Sequence, residues 1–233
     1  MVENNPITSI DIKPTKEEKP TKEKRPTKEK KHTKEKILEV ALELFSERGY
    51  EGVSMRDIAA AVNIKGSSIY KHYKGKQDIM DSILALVDRR YEKSLLESNI
   101  PIGNAVEVSS IYVNIDEERL VTIVWDMFQY FVKDPYVIKY RKILMMEQYK
   151  NNSMQQMLQK IYYDNALAFQ EELFKILIEQ GEIKAYPPKI LAIQFYSPIF
   201  LLIFRYDGMN GEEEKVKELL KEHVHTFFTV YHL

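Results

Sequence analysis

A short run of hydrogen-bond donors and positive charges lies between residues 65 and 76. Its polar members are lysines, serines, tyrosines and one histidine: Lys65, Ser67, Ser68, Tyr70, Lys71, His72, Tyr73, Lys74 and Lys76. No acidic residue follows Lys65 until Asp78. Ammonium, hydroxyl and imidazole groups donate hydrogen bonds to phosphate oxygens and to base edges. The run therefore predicts a nucleic-acid contact, and the alternative is a solvated basic turn of helix.

The sequence shows no group of residues with the types and spacing that catalysis or metal binding requires. The chain has no cysteine, which excludes disulfides, thiol nucleophiles and cysteine-bearing zinc sites. His223 and His225 are the only clustered histidines, and at a spacing of two they point to different helical faces. The sequence also contains no phosphate-binding glycine loop and no serine nucleophile elbow. We therefore expect no enzyme activity, no metal site and no cofactor.

The donor run follows two helical patterns. Apolar residues share one face of a helix predicted over 33–48: Ile37, Leu38, Ala41, Leu44 and Phe45. Thr33 is its expected cap, and Gly49 suits the left-handed position past its end. Ser54 opens a second helix, and Asp57 three residues later completes an analogue of a capping box.

The donor run itself predicts a third helix. Ser67 is its expected cap, its length is barely two turns, and Lys74-Gly75 ends it. A fourth helix is predicted over 76–98, where the apolar residues return to helical spacing. A supporting helix followed by two short helices joined by a tight turn is the arrangement of a helix-turn-helix unit.

Residues 33–80 resemble the DNA-binding domain of the TetR family of transcriptional regulators. The shared pattern is an Ile-Leu pair, a Leu-Phe pair, glycine plus an aromatic, a Ser cap, Ile-Ala, and Tyr-x-His-aromatic with a lysine beyond. Val62-Asn63-Ile64 replaces the usual small-residue turn, and Tyr73 replaces the usual phenylalanine. We expect Asn63 to supply the left-handed conformation that glycine often gives there.

The resemblance implies an all-α fold. An N-terminal three-helix helix-turn-helix DNA-binding domain would be joined by a fourth helix to a larger helical ligand-binding and dimerisation domain. We assign residues 1–31 to a basic arm, 32–80 to the DNA-binding domain and 81–233 to the larger domain. Double-stranded DNA is the implied partner.

The resemblance also assigns DNA contacts to particular residues. Four lie where family members reach base edges and flanking phosphates: Lys65, Ser67, Ser68 and Lys71. Tyr70 and His72 match positions that commonly grip the phosphate backbone. Lys76 begins the fourth helix, where its ammonium and the helix N-terminus both attract a phosphate. Ser54 and Arg56 are candidate backbone contacts, with a simple cap and a solvated charge as their alternatives.

The N-terminal segment is basic and repetitive. Residues 14–37 contain four copies of a six-residue unit, PTKEEK, PTKEKR, PTKEKK and HTKEKI. Proline every six residues prevents a continuous helix. Residues 13–36 hold 11 Lys/Arg against 5 Glu. We predict that residues 1–31 form a disordered arm, which either binds phosphates without sequence preference or is a solvated tail without a role.

The remainder of the chain also predicts helices. The expected spans are 117–133, 135–150, 153–180, 188–207 and 212–231, while 99–115 forms either a short helix or a loop. The last two spans are apolar on more than one face, which requires burial or pairing. The resemblance implies that they form a four-helix bundle between two chains. We therefore expect a homodimer through residues 188–231, which would bind a pseudo-palindrome.

Large, adaptable side chains are concentrated in the middle of the chain. Seven are candidates for a ligand pocket: Trp125, Phe128, Tyr140, Met145, Tyr149, Tyr162 and Phe169. The resemblance implies a pocket for a small inducer in this region, and tyrosines with an apolar body and a polar tip suit a mostly apolar ligand. Ordinary core packing is the alternative for each single residue.

Two functions compete. The first is a repressor that a small-molecule inducer releases from a pseudo-palindromic operator, and the second is a sequence-tolerant DNA-organising protein that uses the basic arm. Residues 1–12 lack the apolar region of a signal peptide, and the longest apolar stretch, 190–204, is short and interrupted by polar residues and proline. We therefore expect a cytoplasmic protein that does not span a membrane.

Overall fold

The fold is built from eleven α-helices in the computed structural model, which describes residues 28–100, 103–207 and 211–232. The helices are α1 Lys28–Arg48, α2 Met55–Ala61, α3 Gly66–Ile69, α4 Lys76–Glu97, α5 Ala105–Tyr112, α6 Glu117–Lys133, α7 Pro135–Glu147, α8 Asn152–Gln159, α9 Asn165–Glu179, α10 Pro188–Arg205 and α11 Glu213–Tyr231. Within these ranges the extended pairing is a single antiparallel bridge between Ile183 and His232. The all-α prediction is confirmed.

The N-terminal head consists of α1, α2, α3 and the first turns of α4. One apolar core joins them, and its fully or almost fully buried members are Ile37, Ala41, Phe45, Val53, Ile58, Ala59, Ile69 and Ile79. The predicted capping box is present, because Asp57 N donates to Ser54 Oγ (3.2 Å) and Ser54 N donates to Asp57 Oδ2 (2.8 Å). Asn63 takes the left-handed conformation predicted for it, with φ of 63°. The head is therefore set mainly by local signals.

Two predicted boundaries in the head are wrong. Helix α1 begins at Lys28, so Thr33 lies inside it, and residues 28–31, which we assigned to the arm, are helical. The last proline of the repeats is Pro26, and without further prolines the helix can extend back toward it. Residues 1–27, which hold the rest of the predicted arm, lie outside the described residues.

The second error concerns the start of the third helix. Ser67 lies within α3, and the N-cap is Lys65, whose extended backbone makes no side-chain capping bond. The helix is only four residues long, and Ile69 is its one buried residue. Because Lys65 is the N-cap, Ser67 does not cap the helix, and its residue is exposed.

The larger body contains α5 to α11. The predicted span of α6 is confirmed at both ends, and the ambiguous segment before it contains α5, opened by an Asn104–Glu107 capping box. The predicted continuous helix over 153–180 is interrupted by a π-helical turn at Lys160–Asp164. There the carbonyl of Tyr162 accepts a hydrogen bond from the Tyr196 hydroxyl at 2.9 Å.

Helix α7 lies along α1 and joins the body to the head. The Lys139 ammonium pairs with Glu43, and the Tyr136 hydroxyl donates to Glu39 Oε1 (3.4 Å). At the C-terminal end of α7 the buried Glu147 accepts a hydrogen bond from Glu51 N (3.4 Å), in the turn after α1. Contacts along the length of α7 therefore set the orientation of the head.

Gly49 makes this joint possible, and its replacement by alanine tests it. Gly49 has φ of +77°, and a Cβ there would lie 2.5 Å from Glu147 Oε1. We expect Gly49→Ala to lower the free energy of unfolding by about 2 kcal/mol or more, from left-handed strain together with the clash. Urea denaturation at one protein concentration measures the change.

Gly181→Ala is the matched control for that substitution. Gly181 has the same φ of +77°, but nothing lies within 4 Å of its added Cβ. Its expected loss is smaller, because only the backbone strain is present. Equal losses for the two variants would contradict a close contact between Glu147 and the turn after α1.

Candidate functional site

The second and third helices present the predicted donors outward. Of the nine predicted DNA-binding residues, six are exposed: Ser54, Arg56, Lys65, Ser67, Tyr70 and Lys71. Ser68, His72 and Lys76 are half-buried. The Cγ of Arg56 lies 3.9 Å from the place of a Cβ on Gly66, so the start of α2 adjoins the start of α3. The structure thus brings the two groups of candidates together on the head.

The surface formed by α2 and α3 carries exposed, positively charged side chains. Four cations on or next to α2 and α3 are exposed and form no ion pair with the described residues: Arg56, Lys65, Lys71 and Lys74. The nearby Asp57 is held by the hydroxyl and backbone of Ser54, and these hydrogen bonds lower the pKa of its carboxyl. Unpaired cations beside exposed hydroxyls form a surface suited to a phosphate backbone.

Two residues of the donor run have internal partners. Lys76 Nζ donates to Tyr50 O (2.8 Å), lies 3.6 Å from Glu51 Oε2 and sits 4.4 Å from the centre of the Tyr50 ring. It fastens the start of α4 to the turn after α1, so its phosphate contact stays a prediction. Tyr73 is buried, and its hydroxyl donates to Lys34 O at 3.2 Å. Burial raises the pKa of Tyr73 to about 12.

The body encloses a cavity of about 180 Å³ between α4, α5, α6, α9, α10 and α11. Most of its wall is aromatic or aliphatic, and α4 contributes Tyr91 and Leu95. Its polar wall residues are Gln170, Glu182 and His232 together with tyrosine hydroxyls. A mostly apolar cavity with a few polar groups is the usual form of a small-molecule site.

The predicted pocket residues are divided between this cavity and other parts of the body. Of the seven candidates, Phe169 lines it and the other six lie elsewhere: Trp125, Phe128, Tyr140, Met145, Tyr149 and Tyr162. Helix α6 turns Met127 and Phe131 toward the cavity, while its Trp125 and Phe128 pack with α10 and α11. Helix α7 faces α1 instead and contributes nothing to the wall.

Four predicted pocket residues that follow α6 in the chain lie either in the main core or at the surface. Tyr140 and Tyr162 are buried in the main core, and Tyr140 contacts Met157. Met145 and Tyr149 are exposed near the C-terminal end of α7. The sequence analysis did not predict most residues of the cavity wall. One pattern in the sequence indicates them, a stripe at helical spacing along α9 that contains a glutamine: Ala166, Phe169, Gln170, Leu173, Phe174 and Leu177.

The body also contains a fully buried cation that the sequence analysis missed. The guanidinium of Arg141 pairs with Asp207 and donates to Phe131 O at 2.9 Å. It lies 5.9 Å and 5.8 Å from the ring centres of Tyr162 and Phe204. Arg141 thereby joins α7 to the ends of α6 and α10.

Comparison with known proteins places the head in a family. Residues 37–83 match the family model described as bacterial regulatory proteins, tetR family. The chain is 50% identical over 44 residues to IcaR of Staphylococcus epidermidis, the biofilm operon icaADBC HTH-type negative transcriptional regulator, covering 19% of this chain and 24% of that protein. Residues 37–83 are therefore similar to bacterial regulators of the tetR type.

Two longer matches extend beyond the head. YttP of Bacillus subtilis, a probable HTH-type transcriptional regulator by its description, is 26% identical over 147 residues, or 63% of each chain. The matches thus span about a quarter of IcaR and less than two thirds of YttP. A solved TetR-family structure from Mesorhizobium loti superposes with a TM-score of 0.62 at 17% identity, covering 91% of this chain and all of that chain. It has the same fold.

A second surface, on α10 and α11, is apolar and exposed. Helix α10 is as long and as apolar as a membrane-spanning helix, and only 22% of it is buried inside the protein. Its exposed apolar residues include Ile190, Ile193 and Leu201, and α11 adds Leu219 and Val230. Exposed apolar patches of this kind mark protein or membrane contacts.

Proposed function

We propose that the chain is a dimeric repressor of transcription that binds a pseudo-palindromic operator through α2 and α3 and is released by a small molecule. The observation that carries the proposal is the exposed set of unpaired cations and hydroxyls around α3. IcaR, which matches over the head, is described as a negative regulator. Repression therefore fits better than activation.

Sequence reading is proposed for the residues that start and follow α3. Lys65 and Lys71 are exposed and long enough to reach base edges, where lysine to guanine is a common specific contact. Tyr70, His72 and Arg56 would position the head through phosphates. The capping role of Ser54 is present in the structure, and its phosphate contact is part of the proposal.

The proposed dimer pairs α10 and α11 of two copies. The exposed apolar residues of the two helices would be buried between them, as the family's dimers require. We expect Leu201→Glu to convert the dimer to a monomer and to weaken operator binding, because Leu201 is 65% exposed and a buried carboxylate would be unpaired. Sedimentation velocity measures the molecular mass.

Leu96→Glu is the matched control for the dimer. Leu96 is 66% exposed but lies near the end of α4, outside the two helices of the proposed interface. It should leave the mass and the operator affinity unchanged. A dimer that survives Leu201→Glu, or that is lost equally with Leu96→Glu, would contradict the proposed interface.

Ligand release is proposed to act through α4. Tyr91 and Leu95 line the cavity at one end of this helix, and Lys76 fastens its other end to the head. A ligand that alters the position of α4 would alter the separation of the two heads. It must bind the non-DNA-binding arrangement more tightly, since only differential affinity shifts the equilibrium.

The DNA-organising alternative is tested by salt and by deletion. A duplex selected from a random pool and an unrelated duplex are titrated with the full chain and with a form lacking residues 1–27. A repressor keeps a specificity ratio of about 10³ or more in both forms. A DNA-organising protein shows a small ratio, a steep salt dependence and a large loss of binding on deletion.

A further inference from the structure

The wall that α9 presents to the cavity contains one polar interruption. Ala166, Phe169, Leu173 and Leu177 are apolar, and Gln170 lies among them. Gln170 Oε1 is buried and has no hydrogen-bond partner among the described residues. Leaving such an atom unpaired costs about 1–3 kcal/mol. A buried amide oxygen without a partner at a cavity wall is a group that a ligand can satisfy.

The charges around the cavity exclude an anion as the preferred ligand. No lysine or arginine is among its lining residues. Burial raises the pKa of Tyr112 to about 12 and that of Tyr91 further, so both hydroxyls are neutral near pH 7. The one carboxylate of the wall, Glu182, accepts a hydrogen bond from Asn114 N at 3.1 Å. A carboxylate or phosphate would be desolvated there with no lysine or arginine in the wall to compensate its charge.

The size of the cavity limits the ligand further. A dry cavity of about 150 Å³ holds benzene. At about 180 Å³ the present cavity holds one aromatic ring with a short substituent. The aromatic side chains of the wall, among them Phe131, Phe169 and Phe195, suit such a ring by tilted or edge-to-face contact.

We infer that the cavity selects a small, uncharged aromatic molecule with a hydroxyl group, and that the Gln170 amide recognises that hydroxyl. A hydroxyl both donates and accepts, so it satisfies the amide through either its oxygen or its nitrogen. The inference rests on the proposed role of the cavity as the ligand site and adds its chemistry. Gln170 is thereby the specificity-determining residue.

Three probes that share a 4-propylphenyl group test the inference by titration calorimetry on the full chain. They are 4-propylphenol, 4-propylanisole, which lacks the donor, and 4-propylbenzoate, which is an anion. We expect the phenol to bind at least about tenfold more tightly than the anisole, because the anisole leaves the buried amide oxygen unpaired. The benzoate should bind more weakly than the phenol by at least the same factor.

The variant Gln170→Leu assigns the preference to the amide. It should bind the phenol and the anisole equally, with anisole affinity kept or improved. Gln156→Leu, at an exposed position on α8, should keep the full preference of the natural chain. Equal binding of phenol and anisole to the natural chain, tightest binding of the benzoate, an unchanged preference in Gln170→Leu, or no binding of any probe would each overturn the inference.

Operator binding is measured on the same samples without probe. Gln170→Leu should bind the selected duplex as the natural chain does, because Gln170 lies in the body. If the natural chain binds no duplex specifically, the proposed function fails whatever the ranking of the probes. If it binds the duplex but prefers the benzoate, the proposed function stands and the ligand chemistry is wrong.

Discussion

Replacing Tyr70 by alanine is expected to weaken binding to every duplex by about tenfold or more. Tyr70 is 57% exposed and ends α3, where its ring and hydroxyl are free to meet the phosphate backbone. One lost hydrogen bond to a charged oxygen is worth about 1.5–3 kcal/mol, and every 1.4 kcal/mol is tenfold in affinity. Because phosphates occur in every sequence, the loss should be uniform across duplexes.

The same substitution should leave the protein folded and dimeric. An exposed side chain outside the core changes the free energy of unfolding by about 0.5 kcal/mol or less. Tyr149→Ala is the control, since Tyr149 is 88% exposed but lies beyond the end of α7, outside α2 and α3. Fluorescence anisotropy with two unrelated duplexes measures the affinities. A Tyr70→Ala protein that unfolds or dissociates would show that Tyr70 is a folding residue.

Replacing Asp207 by alanine is expected to lower the free energy of unfolding by about 3 kcal/mol. Its partner Arg141 is fully buried, and removing one member of a buried pair leaves the other charge uncompensated, at about 3–5 kcal/mol. The lower end applies because the Asp207 side chain is itself 34% exposed. Urea denaturation at fixed protein concentration measures the loss.

Arg141→Met separates the charge from the packing. It removes the buried cation and keeps much of the volume, so its cost should be smaller than that of Asp207→Ala. The remaining cost is the unpaired Phe131 carbonyl and the lost contacts with the Tyr162 and Phe204 rings. A larger loss for Arg141→Met would mean that the arginine stabilises the body mainly by packing.

Local signals made the head predictable. The Ser54–Asp57 capping box, the left-handed Gly49 and Asn63 and the proline at the start of α7 all act within a few residues. Because each depends only on residues close by in the chain, each can be predicted from the sequence. The start of α3 was missed because its cap is backbone geometry at Lys65, which no side-chain pattern marks.

The cavity was less predictable because tertiary packing decides which arc of a helix faces it. Phe128 and Phe131 are both large aromatics of α6, yet Phe131 lines the cavity and Phe128 packs with α10 and α11. Arg141 resembles a surface cation in the sequence, and only its contacts with three other segments bury it. Such outcomes depend on residues far away along the chain.

Lys76 shows the same limit at the DNA-binding surface. Its place at the start of α4 predicts a phosphate contact, while the structure gives its ammonium the carbonyl of Tyr50 and the carboxylate of Glu51. The partners come from 25 and 26 positions earlier, in the turn after α1. Lys65, Tyr70 and Lys71 are more exposed than Lys76, and they are therefore the stronger candidates for DNA contacts.

The most direct test of the central claim is selection of bound duplexes from a random DNA pool at near-physiological salt, read by sequencing. A dimer that presents two copies of α3 should enrich a pseudo-palindrome whose half-sites lie about one helical turn apart. A pool that stays unenriched while binding falls steeply with salt would contradict a sequence-specific repressor and favour a DNA-organising protein.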